Sequence, residues 1–181
     1  MSTALLKRKL DKSFRRLDTD GNGYAERADF QDVGARLIHG FGMSPTSPKG
    51  KAVAVRLDAV WAELAAYADR DRDGRLSSAE YHHGMTKAFI EGPAFDPVFH
   101  PAAEAVALLC DTDGDGHVVR GEFEVLQRAF NTPLTDIAAA FNRIDTDGDG
   151  CVSTAELVAA IRAYYIGTDP EAPGNWLFGP L

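Results

Sequence analysis

The sequence predicts an all-α chain made of four helix–loop–helix units. Three observations carry that expectation: four twelve-residue segments align without gaps, apolar residues recur at helical spacing on both sides of each, and turn residues mark the breaks between units. The segments are DTDGNGYAERAD (18–29), DRDRDGRLSSAE (69–80), DTDGDGHVVRGE (111–122) and DTDGDGCVSTAE (145–156).

Taken in chain order, Leu6, Leu10, Phe14 and Leu17 place an amphipathic helix before the first segment, and Phe30, Val33 and Leu37 place one after it. The second segment lies between Val53, Leu57, Val60, Leu64 and Tyr81, Met85, Phe89. Val106 and Leu109, then Phe123, Leu126 and Phe130, flank the third; Ile137, Phe141 and Ile144, then Leu157, Ile161 and Tyr164, flank the fourth. Breaks fall at Gly40–Pro45, from Gly92 to Pro101, and at Asn131–Pro133, with an irregular excursion expected over roughly residues 40–50. The domain division is therefore 1–95 (loops 18–29 and 69–80) and 96–166 (loops 111–122 and 145–156). A tail, 167–181, is too rich in Pro and Gly to continue the last helix. It carries Trp176, Leu177, Phe178 and Leu181, and should dock on an apolar part of the body, as a plug rather than a segment released to a partner.

Composition narrows the class. Among 181 residues, 45% are hydrophobic and 25% charged, which is ordinary for a soluble globular protein. No apolar run is long enough to span a bilayer, the first residues lack a signal-peptide core, and Met1-Ser2 offers no myristoylation glycine, so no membrane partner is expected. Two cysteines point to reduced thiols and a cytoplasmic location. A net charge of -8 repels phosphate backbones, which excludes nucleic acid as a partner and favours cations. Of the 27 acidic residues, 16 sit inside the four segments, so the charge is concentrated where the repeat is.

A twelve-residue loop can wrap a calcium ion with oxygens from positions 1, 3, 5, 7, 9 and 12, position 7 giving its backbone carbonyl. Loop 69–80 offers Asp69, Asp71, Asp73, the Arg75 carbonyl, Ser77 through water, and Glu80. Loop 111–122 offers Asp111, Asp113, Asp115, the His117 carbonyl and Glu122, with Val119 supplying no side-chain oxygen at position 9. Loop 145–156 offers Asp145, Asp147, Asp149, the Cys151 carbonyl, Ser153 and Glu156. Loop 18–29 offers Asp18, Asp20, Asn22, the Tyr24 carbonyl and Glu26, but closes on Asp29, one methylene shorter than Glu, and has Ala25 at the core-anchoring position 8. That shorter reach favours fewer ligands and makes this loop the candidate for a weak or magnesium-competing site. Three to four bound calcium ions are expected. The cations Arg70, Arg72 and Arg75 in loop two and Arg120 in loop three set the expected order of affinity: loop four, loop three, then two and one.

These four loops resemble the EF-hand family over nearly the whole chain. The uneven spacing of the first two hands, the phrase Glu26-Arg27-Ala28-Asp29-Phe30 and the ending Asp169-Pro170 to Gly179 are similar to the sarcoplasmic calcium-binding protein group, its bacterial calerythrin-like members above all. The resemblance implies a compact body of two EF-hand pairs, with short β ladders between paired loops and no long exposed connecting helix.

No Ser, Cys or His falls in a nucleophile motif, so the chain is not expected to be an enzyme. His82 and His83, neighbours on a helix, are expected on the solvated surface, Cys110 in the core, and Cys151 as a carbonyl donor. Only three Met residues are present, too few for the pliable groove of a sensor. The leading expectation is an intracellular, monomeric calcium buffer, with a calcium-dependent regulator of a protein target as the alternative. A photoprotein-type binder of an organic cofactor, lined by Trp61, Trp176 and Tyr81, is a third class.

Overall fold

The computed structural model describes residues 3–181; the reading of Met1-Ser2 lies outside the described residues. Eight α-helices and four short strands alternate as α1 (Thr3–Leu17), β1 (Tyr24–Glu26), α2 (Arg27–Gly40), α3 (Pro48–Ala68), β2 (Arg75–Ser77), α4 (Ser78–Gly84), α5 (His100–Cys110), β3 (His117–Val118), α6 (Arg120–Ala129), α7 (Leu134–Ile144), β4 (Val152–Ser153) and α8 (Thr154–Ile166). Each pair of strands is the crossing point of two loops. Strands β1 and β2 run antiparallel with Ala25 opposite Leu76, and β3 and β4 do so with Val118 opposite Val152. All four of these position-8 side chains are fully buried, so the ladder pins each loop pair to the core beneath it. Ala25 fills its place as completely as Leu76, its smaller volume met by the larger residue opposite.

The excursion at 40–50 is short. It turns at Gly42, and Ser47 then caps α3 by accepting from the Gly50 N–H, with Pro48 at the first helical position where a missing N–H costs nothing. The expected break from Gly92 to Pro101 is instead largely helical: α4 widens into a π-helical turn at Met85–Ile90, and Phe95–Phe99 forms a second one leading into α5. Burial explains the difference. Phe95 and Phe99, one turn apart, stack at 5.3 Å, and Phe99 also meets Phe89 (5.3 Å) and Tyr165 (4.6 Å), so aromatic packing holds the turn despite its prolines.

The apolar interior forms two clusters, one under each pair of loops. They are not divided at the middle of the chain: Val33, Leu37 and Ile38 of α2 and Val53 of α3 pack with the interior of the second half. An apolar cavity of about 100 Å³ lies between the halves, bordered by Phe30, Tyr81, Met85, Tyr165, Leu177 and Phe178. Trp61 and Trp176 pack elsewhere, Trp61 against Phe30 and Trp176 under the Arg143 guanidinium.

After α8 the chain turns back through a 3-10 turn at Pro173–Trp176 and buries Leu177 and Phe178, the latter between Phe130 (5.2 Å) and Tyr164 (5.1 Å). Helix α1 clasps this region. Lys9, wholly buried, donates to the carbonyls of Ala163 and Gly167 at 3.0 and 3.1 Å, placing a cation at the C-terminal end of α8, where the Ala163 carbonyl also accepts from the Gly167 N–H. Lys12 donates to the Pro180 carbonyl at 2.6 Å, and the Tyr164 hydroxyl donates to the Lys9 carbonyl at 2.7 Å.

Two outcomes follow from this packing. Phe178→Ala is expected to lower stability by about 3 kcal/mol in urea denaturation, the usual cost of emptying an aromatic site, while Val55→Ala on the exposed face of α3 leaves the midpoint unchanged. Burial, reinforced by Arg16, pushes the Lys12 ammonium down to about 8. The unfolded chain then holds that proton more tightly than the folded one between pH 8 and the ordinary 10.5, so stability rises across this window. Lys12→Met removes that part of the rise, read as the difference between the two proteins' denaturation midpoints against pH.

Candidate metal centre

Each loop is wound around its own first aspartate. Asp18 accepts from the N–H groups of Asn22 and Gly23, Asp69 from Asp73 and Gly74, Asp111 from Gly114 and Gly116, and Asp145 from Gly148 and Gly150, all at 2.7 to 3.2 Å. Positions 3 and 5 repeat the device two residues on. Asp20, Asp71, Asp113 and Asp147 accept from position 5, while Asn22, Asp73, Asp115 and Asp149 accept from position 7. These side chain to backbone turns curl each loop around its acidic oxygens.

Winding so tightly requires left-handed backbone at positions 4 and 6. Seven of those eight residues are glycine, with φ between 72° and 93°; the eighth is Arg72, at φ 59°. A side chain there costs about 1–2 kcal/mol relative to glycine.

The position-12 carboxylate closes each loop by reaching back to the position-9 N–H, which makes it also the third residue of the exit helix and that helix's capping partner. Asp29 accepts from Glu26 N–H at 2.8 Å, Glu80 from Ser77 at 3.0 Å, Glu122 from Val119 at 3.0 Å and Glu156 from Ser153 at 3.0 Å. Ser77 and Ser153 return the bond through their hydroxyls to the N–H groups of Glu80 and Glu156. A second brace comes from position 2, which the spacing argument overlooked. Thr19, Thr112 and Thr146 each donate backbone N–H and hydroxyl to the closing carboxylate. Its signal was present in the sequence as the thrice-repeated Asp-Thr-Asp. Loop two has Arg70 there instead, and Arg70 turns away to His83 at 3.0 Å.

Burial alone would raise the Glu156 carboxyl, but the bonds from Thr146 and Ser153 outweigh it and hold the group at about 2. Asp149 is likewise held low by the Cys151 thiol and N–H. Both are anions at neutral pH with oxygens arranged for a cation.

Carboxylate oxygens of Asp18, Asp20 and Asp29 come within 4.8 Å of one another, as do those of Asp69, Asp71 and Asp73, of Asp111, Asp113 and Asp115, and of Asp145, Asp147 and Glu156. Asp29, only 4% exposed, thus lies with its partners in spite of its shorter side chain, whereas Glu80 and Glu122 stand outside the tight groups of their loops. Glu26 accepts from the Asn22 amide at 3.3 Å. Hard, oxygen-only donor sets of this kind suit calcium or magnesium.

Comparison with known proteins agrees with this chemistry. An EF-hand domain profile matches residues 136–167 and an EF hand profile matches residues 66–85. Calerythrin from Saccharopolyspora erythraea is 31% identical over 169 residues, covering 92% of this chain and 96% of that protein. The chain belongs to the calerythrin-like EF-hand calcium-binding proteins. A Streptomyces coelicolor calcium-binding protein, described in terms of prokaryotic calcium-mediated regulation, superposes with a TM-score of 0.77 at 33% identity, covering 91% of this chain and 99% of that one. The beta chain of the Penaeus sarcoplasmic calcium-binding protein is 27% identical over 91% of this chain and 90% of its own.

Within this calerythrin-like body, His82 is not solvated surface as expected: it is half-buried, 3.1 Å from Asp11. His83 is half-buried against Arg70, and Cys110 is in the core. Arg72→Gly is expected to stabilise the protein by about 1 kcal/mol through release of left-handed strain. It should also raise the calcium affinity of loop two by removing a cation beside its carboxylates. Thermal denaturation reads the first effect and site-resolved NMR titration the second.

Proposed function

We propose that the chain is an intracellular calcium buffer that holds three to four calcium ions in its four loops and is stabilised by them. The observation that carries this reading is the dual use of the closing position: Asp29, Glu80, Glu122 and Glu156 each cap an exit helix, and Asp29 and Glu156 also bring a carboxylate oxygen within 4.8 Å of two other acids of their loops. Four acidic groups per loop repel at about 1 kcal/mol per pair in water and up to ~4 near a protein surface at 4 Å, comparable in sum to a domain's stability of ~5–15 kcal/mol. A bound dication cancels that repulsion and lets the capped helices settle.

In this reading the ligands are the side chains at positions 1, 3, 5 and 12, the carbonyls of Tyr24, Arg75, His117 and Cys151, and Glu26, Ser77 and Ser153 at position 9. Loop four leads in affinity, then three, then two and one. Magnesium competes most at loop one. The two hand pairs, 1–95 and 96–166, act as one body sealed by the tail 167–181, working as a monomer in the cytoplasm.

Support for a buffer over a sensor comes from the closed interior. Met85 is buried, Met43 is half-buried beside a turn, and Leu177 and Phe178 already occupy the apolar face where the halves meet. The remaining cavity, about 100 Å³, is on the scale that holds one benzene-sized molecule, which disfavours a multi-ring organic cofactor. The regulatory description of the Streptomyces relative favours the alternative, a calcium-dependent regulator that exposes an apolar groove.

Calorimetric titration is expected to give three to four calcium ions per chain. Each site filled at a hundred times its Kd adds about 2.7 kcal/mol to stability, so chelation should lower the thermal midpoint by many degrees. Fluorescence of an apolar dye such as ANS should fall or stay level when calcium is added. A rise on calcium addition would replace the buffer by the regulator, and failure to bind calcium would remove both.

A further inference from the structure

Position 7 of a calcium loop uses only its backbone carbonyl, so its side chain is free for other work. In loops three and four those residues are His117 and Cys151. The β3–β4 register sets His117 opposite Ser153, which puts Cys151 on the diagonal of the same face, opposite to the buried Val118 and Val152. The same diagonal in the other ladder brings the Arg75 guanidinium over the Tyr24 ring at 4.8 Å. The ladder itself therefore forces the two position-7 side chains together, and the residues chosen decide the chemistry.

Here the choice is an imidazole and a thiol. His117 Nδ1 lies 3.3 Å from Cys151 Sγ, and Cys151 Sγ lies 3.0 Å from Asp149 Oδ1. The donor atoms of all three residues fall within 4.8 Å of one another, on a face that is half-exposed and open to entry. Zinc bonds of ~2.3 Å to sulfur and ~2.0 Å to nitrogen at the tetrahedral angle require a sulfur to nitrogen edge of roughly 3.5 Å. The observed separations are a few tenths of an ångström short of that, within side-chain adjustment. A mixed nitrogen, sulfur and oxygen set is the donor chemistry of zinc and its neighbours, and it differs in kind from the oxygen-only loops on either side.

We propose that His117, Cys151 and Asp149 form a separate site for a thiophilic divalent cation of the zinc class, with water as the fourth ligand, on the outer face of the β3–β4 ladder. As the metal–sulfur bond forms, the thiol proton leaves to solvent. Asp149 belongs to both sites: it is position 5 of loop four, and it stands beside the Cys151 sulfur. On the reading that loop four binds calcium, each ion therefore weakens the other by the same factor.

Cobalt(II) is the probe, because a thiolate ligand gives a near-ultraviolet charge-transfer band that carboxylate loops cannot produce. The full-length chain, reduced and calcium-free, should develop that band with one cobalt per chain, and zinc should bleach it at equal stoichiometry. Cys151→Ser should abolish the band, because the hydroxyl that replaces the thiol gives no such charge transfer. His117→Gln should weaken cobalt binding by about tenfold or more. Absence of the band in the wild-type chain, or its persistence in Cys151→Ser, which would make buried Cys110 its source, overturns the site. Matching circular dichroism of the variants guards against misfolding. Saturating calcium should lower cobalt affinity several-fold. A cobalt affinity indifferent to calcium that is shown by NMR to fill loop four overturns the shared use of Asp149. Loop four failing to fill at all would count against the calcium reading and leave the thiolate site standing.

Discussion

The closing carboxylate of each loop is the constraint on which the rest depends. It sits three residues past the loop's ninth position and so is at once the last acidic group of the loop and the capping partner of the helix that leaves it. Helix orientation and the shape of the oxygen cage are thereby the same variable. A loop cannot open without uncapping its helix, and a helix cannot tilt without withdrawing an oxygen. The threonine at position 2 ties this group to the loop entrance in three of the four repeats, so entering and leaving helices are linked through one side chain.

Pairing of loops adds the next level. Each two- or three-residue ladder is too short to be stable alone, but it buries its central residues completely and forces the two loops to share a backbone register. The aromatic seam of Phe89, Phe95, Phe99 and Tyr165 then joins the pairs, with α2 and α3 reaching into the interior of the second half.

Much of this was legible in the residues. Repeat spacing located all four loops, and apolar residues at helical intervals located their flanking helices, because both signals are local and periodic. Three acidic groups gather in each loop, while Glu26, Glu80, Glu122 and Asp149 lie outside those sets. Tertiary terms were less visible. Pro97 and Pro101 read as a break, yet burial of Phe95 and Phe99 made the segment helical. Asp29, one methylene shorter than Glu, lies with Asp18 and Asp20, a closeness that the residue type alone does not reveal. His82 read as solvated, and a carboxylate on α1 proved to be its neighbour. Nothing in a linear pattern announces that His117 and Cys151, 34 positions apart, share a diagonal; only strand register shows it.

The clasp of α1 on α8 and the tail has a bearing on how the chain is built. Lys9 and Lys12 find their acceptors only at residues 163, 167 and 180, and the Lys9 carbonyl finds its donor at Tyr164. Docking of α1 therefore requires contacts across 154 positions of sequence. Closure of so long a loop is slow by topology alone. Because Val33, Leu37, Ile38 and Val53 already lie in the interior of the second half, that docking fastens a core the two halves share.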